Sequence, residues 1–123
     1  MPGETSFQLK LITESGGRQR LYLTRGPGKA RIPITDVTRM YISAHPYHSA
    51  NDVSYGYNAQ LMQNQADGML YVTVSRFREG PGASNETTTD YFKIDQVTDT
   101  ATEIPADSFD AINDLIVLDT LFN

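Results

Sequence analysis

The sequence predicts a mainly β protein: an antiparallel sheet of about seven strands that includes an N-terminal hairpin, followed by a C-terminal helix. Three observations carry this. Apolar and polar residues alternate with period two in most apolar segments, as in Phe7-Gln8-Leu9-Lys10-Leu11 and Met69 to Phe77. These runs are short and bounded by turn formers, in Glu14-Ser15-Gly16-Gly17, Gly26-Pro27-Gly28 and Asp67-Gly68. Only after Pro105 does the apolar spacing change character. With 123 residues, 39% of them hydrophobic, the chain has material for one modest core and reads as a single domain, 1–123.

The first hairpin joins Phe7 to Leu11 with Leu21 to Thr24, and its glycines supply the positive φ of a tight connection. A second turn, Arg25-Gly26-Pro27-Gly28-Lys29, delivers a strand from Arg31 to Thr35. Pro33 lacks an amide hydrogen, which places that strand at an edge or a bulge. Arg39 to Ala44 and Val53 to Gln63 read as a long hairpin across the polar turn 46–52. Both arms have one apolar and one polar side, the pattern of a sheet covered on one face. Met69 to Phe77 is rich in β-branched and aromatic residues and is the clearest strand. Residues 78–86 read as an exposed loop, and a seventh strand runs from about Tyr91 to Val97.

At the C-terminus, Pro105 suits a first helical turn, with Asp107 or Ser108 as cap. Phe109, Ile112, Leu115 and Ile116 then give a helix of about four turns, although Leu115-Ile116-Val117-Leu118 fits a terminal strand by length and branching.

Composition excludes several classes of chemistry. Cysteine is absent, which removes disulfides, thiolate metal sites and thiol nucleophiles. His45 and His48, the only histidines, sit in a turn with Asp52 as their one nearby carboxylate, too few ligands for a metal. No nucleophile and base fall in a telling order and no glycine-rich phosphate loop follows a strand, so the expectation is a protein that is not an enzyme and binds no cofactor. No apolar run reaches the ~18 residues of a membrane span, and the opening MPGETSFQLK lacks the order of a signal peptide, giving an expectation of a soluble protein made in a cytoplasm. Charge is uneven. Residues 1–76 hold eight Lys and Arg against five Asp and Glu, a balance of +3, and residues 77–123 hold two against ten, a balance of −8.

The stretch Arg39-Met40-Tyr41-Ile42-Ser43-Ala44-His45-Pro46, a polar turn, and Tyr55-Gly56-Tyr57-Asn58-Ala59-Gln60-Leu61-Met62-Gln63-Asn64 resembles the central hairpin of coat proteins from small single-stranded RNA bacteriophages. Chain length, the Gly-Gly turn near Ser15 and the loop at Gly80-Pro81-Gly82 are similar as well. The resemblance implies an N-terminal hairpin, a five-stranded sheet facing a capsid interior, and C-terminal helices that interlock with a partner subunit. It further implies a virion protein, made in the host cytoplasm, whose dimers build a shell around RNA. RNA would contact the polar strand face, with Tyr41, His45 and Tyr71 as stacking surfaces and Ser43, Asn58, Gln60, Thr73 and Ser75 as hydrogen-bonding groups. Gly80, Pro81 and Gly82 would adapt at symmetry axes between subunits. Family members place Lys or Arg on those inward strands, whereas this polar face carries no full charge and the chain has room for one good helix rather than two. Charge attraction would then fall to Arg18, Arg20, Arg25, Lys29, Arg31 and Arg39.

A homodimer is expected on separate grounds, because an ~18-residue helix of ~27 Å cannot cover a five-stranded sheet ~24 Å wide. An alternative of another class is a small acidic binding or inhibitor protein, phage-encoded, whose −8 segment is steered to a basic partner.

Overall fold

Two antiparallel sheets face each other across one apolar core in the computed structural model, which describes residues 7–26, 28–37, 54–79 and 86–122. Strand β1 (Gln8–Glu14) pairs with β2 (Arg18–Thr24) through a one-turn 3-10 connection, Ser15–Gly17. Gly16 and Gly17 both take the left-handed backbone there, at φ +81° and +79°, which a side chain would oppose. Strand β3 (Ile32–Asp36) completes the first sheet at its edge, with a register shift between Leu21 and Tyr22 opposite Pro33. Both positions anticipated for Pro33, edge and bulge, are thus realised.

The second sheet contains β4 (Ser54–Asn64), β5 (Leu70–Glu79), β6 (Glu86–Asp95), β7 (Thr100–Ile104) and β8 (Leu115–Phe122), in the spatial order β7-β6-β5-β4-β8. β4 to β7 form a meander. The chain then crosses back, through the short helix α1 (Ala106–Asp110), to add β8 beside β4.

Period-two alternation points one side of each sheet inward. Leu9, Leu21, Leu23, Ile32, Ile34 and Val37 from the first sheet and its exit meet Ala59, Leu61, Leu70, Val72, Val74, Phe92 and Ile94 from the second in a single cluster. Each Val, Leu, Ile or Phe side chain in it contributes about 1.5–3 kcal/mol on burial. The cover that the sequence suggested a second subunit must supply is therefore provided by the chain's own three-stranded sheet.

The expected mainly β antiparallel fold is present, with corrections of detail. Eight strands are described rather than about seven. The expected arm Arg39 to Ala44 lies outside the described residues. β6 begins at Glu86 rather than near Tyr91, because Thr87, Thr88 and Thr89 are β-branched and pair with Phe77, Arg76 and Ser75. β7 was not anticipated, since Thr100-Ala101-Thr102-Glu103-Ile104 shows little apolar alternation. The four-turn C-terminal helix is instead a five-residue helix and a strand. Neither Asp107 nor Ser108 is the cap, a position taken by Pro105 without a side-chain bond. After Ala111 the chain turns, and Asp114 adopts φ +61°. Residues 115–122 then satisfy their backbone groups against the open edge of β4 and bring Leu118 and Leu121 to the core, a long-range gain that a lone helix could not offer.

Candidate nucleic-acid interface

Five of the eight polar residues singled out on the sequence, Asn58, Gln60, Tyr71, Thr73 and Ser75, share one sheet face. In the β4–β5 register Asn58 stands opposite Ser75, Gln60 opposite Thr73 and Met62 opposite Tyr71, so all share the outer face of the five-stranded sheet. β6 extends the patch with Thr89, Tyr91 and Lys93, and β8 with Thr120 beside Gln60. The Ser75 and Thr89 hydroxyls lie 2.9 Å apart in a hydrogen bond. Tyr41, Ser43 and His45 lie outside the described residues, as do Gly80, Pro81 and Gly82.

Part of this face is covered by the chain itself. Phe109 of α1 stands edge-on to Tyr71, with ring centroids 6.2 Å apart, and lies tilted on Tyr91 at 4.6 Å. Tyr71 is 6% exposed, so the ring expected to stack on bases is already engaged. Burial, and then the Asp67 charge, push its hydroxyl above the usual tyrosine range. Thr73 is buried as well, while Asn58, Gln60 and Ser75 are half-buried and remain accessible. Sequence reading missed Phe109 as a member of this face, because the crossover that carries it is a tertiary feature. Beyond Tyr71, at the turn end of β5–β7, a groove of about 470 Å³ is lined by Met69, Lys93, Val97, Thr102 and Ile104.

Apart from Lys93, the cations placed among the described residues lie elsewhere. Arg18, Arg20 and Arg31 lie on the outer side of the three-stranded sheet, across the sandwich from Asn58 and Gln60. Lys29 is exposed in the β2–β3 turn, at the end of β2 away from Arg18. Arg25, named among the sources of charge attraction, is withdrawn from the surface. It is buried, with Nε and Nη2 donating to the Ala30 carbonyl, Nη1 to the Gln96 carbonyl at 3.4 Å, and Nη2 paired with Asp99 at 2.8 Å. In the β6–β7 turn, amide hydrogens of Thr98 and Val97 donated to Asp95 hold that carboxyl below its usual range.

Among the described residues no three His, Asp or Glu side chains gather as a metal site would require, and no helix is long and apolar enough to cross a membrane. Compared with known proteins, the chain matches no family model, no curated protein and no solved structure.

Proposed function

We propose that the protein is a self-assembling coat protein whose subunits associate edge to edge as homodimers and build a shell around RNA. The observation that carries this reading is β8. It pairs only with β4 among the described strands, which leaves one edge with unpaired backbone groups. Other edges of the sandwich are blunted. β3 carries Pro33 and a bulge, β7 is five residues long with Glu103, and the Leu9 amide of β1 donates to Asp119 at 2.8 Å. β8 has a bulge at Leu118 and turns Asp119 to the Leu9 amide of β1, but ahead of these Leu115, Ile116 and Val117 carry no charge or proline, and Ile116 and Val117 are exposed to 38% and 53%. Such an edge is a template for strand addition, and addition of a second copy about a two-fold axis extends the five-stranded sheet across both subunits.

Electron microscopy of the purified protein tests the reading. Closed shells of uniform diameter containing RNA are the expected result, and a monodisperse monomer by light scattering at micromolar concentration overturns it. The rival reading, an acidic binding protein, has Asp107 and Asp110 of α1 in its favour. It predicts a soluble monomer that captures a basic partner.

A further inference from the structure

The basic side chains of the first two strands gather on one surface, the outer face of the three-stranded sheet. Along β2, Gln19, Leu21 and Leu23 are buried inward, which turns Arg18, Arg20 and Tyr22 outward. Lys10 of β1 stands opposite Tyr22, and Arg18 opposite Glu14. Arg31, at the entry to β3, holds its guanidinium 4.7 Å from the centre of the Tyr22 ring. The Tyr22 hydroxyl donates to Glu14 at 2.5 Å, and that carboxylate lies 3.4 Å from Arg20 Nε. Glu14 therefore offsets Arg20, and Asp36 faces Arg20 from β3. Lys10, Arg18, Lys29 and Arg31 keep no carboxylate within ion-pair distance among the described residues. From Arg18 to Thr24 the face runs about 20 Å along β2. On the opposite side of the sandwich, α1 carries Asp107 and Asp110.

We propose that this face binds single-stranded nucleic acid, with Lys10, Arg18, Lys29 and Arg31 meeting successive phosphates. The identity of the polyanion rests on the coat reading, whereas its location rests on charge complementarity alone. A sheet face offers no protruding element to enter a duplex groove, so the contacts go to the backbone and carry no sequence preference. Tyr22 acts here by holding Arg31 in place, since its own ring is covered.

The test follows binding of a labelled, unstructured RNA oligonucleotide by fluorescence anisotropy between roughly 50 and 200 mM salt. Four neutralised phosphates give a slope of log K against log salt near −2.8, about a fiftyfold loss over that range. Lys10→Ala with Arg18→Ala, both exposed positions, halves the slope to about −1.4, a loss of about sevenfold, with an unchanged circular dichroism spectrum. Asn58→Ala with Gln60→Ala leaves slope and affinity at their wild-type values. An unchanged slope in the first variant, a slope lost in the second, or a wild-type protein that binds no RNA overturns the proposal. Salt-dependent self-association that vanishes in the first variant, without RNA binding, also overturns it and makes the acidic α1 side of a second copy the occupant. The two readings separate cleanly. RNA binding lost in the first variant without any shells removes the coat reading and leaves this surface. Shells whose RNA content is unaltered in that variant do the reverse.

Discussion

Arg25, just after β2, reaches Asp99 in the β6–β7 turn with Nη2 2.8 Å from Oδ1, and so joins the two sheets at one end of the sandwich. The guanidinium is buried and also serves the carbonyls of Ala30 and Gln96, whereas the carboxylate is 42% exposed and its backbone sits at φ +56°. The pair is therefore asymmetric: the cation is committed to buried acceptors and the anion to solvent as well.

That asymmetry predicts unequal costs. Arg25→Leu leaves two carbonyls without their donor and lowers stability by about 2–4 kcal/mol. Asp99→Asn, which tolerates the left-handed backbone and loses only a half-exposed charge, costs about 0.5–1 kcal/mol. Urea midpoints at constant slope check the ratio.

Tyr22 predicts a feature of the alkaline limb. Its hydrogen bond to Glu14, followed by burial and the Glu14 charge, raises its ionisation above the ordinary value of about 10. The folded state then holds the proton more tightly than the unfolded chain. Its contribution is present in full below pH ~10 and is lost as pH rises from there through the folded value. Tyrosinate absorbance should show two steps above the ordinary tyrosine range, from Tyr22 and Tyr71, and Tyr22→Phe should delete one of them.

Phe109 predicts a coupling across the crossover. Phe109→Ala removes two ring contacts from a partly exposed site and costs about 1–2 kcal/mol, below the range for a fully buried phenylalanine. It also uncovers Tyr71, whose ionisation falls back toward the ordinary range. Thermal unfolding and the tyrosinate titration read the two effects independently.

Val117 predicts the behaviour of the open edge. Val117→Lys places a charge at a position 53% exposed and so leaves folding within about 0.5 kcal/mol of wild type, while a lysine on an edge strand blocks addition of a second strand. Under the coat reading, light scattering should report monomers in place of dimers and shells.

What the sequence determined by itself is the local periodicity and its punctuation. Alternation marked β1, β2, β4 and β5, Gly16-Gly17 and Asp67-Gly68 marked their turns, and Pro33 marked an edge, because each depends on a residue and its immediate neighbours. The same periodicity brought Asn58, Gln60, Tyr71, Thr73 and Ser75 to one face. Tertiary structure decided the rest. Leu115 to Phe122 became a strand because β4 offers it an open edge, and β7 formed because β6 offers another. Phe109 closed over Tyr71 because the chain must cross the sheet to reach that edge. Arg25 went inward while Arg18 and Arg20 stayed out, because only the assembled sandwich brings Gln96 and Asp99 within reach of its guanidinium. Backbone pairing and charge partnership across 51 to 74 residues of chain are set by proximity in space, which no local pattern encodes.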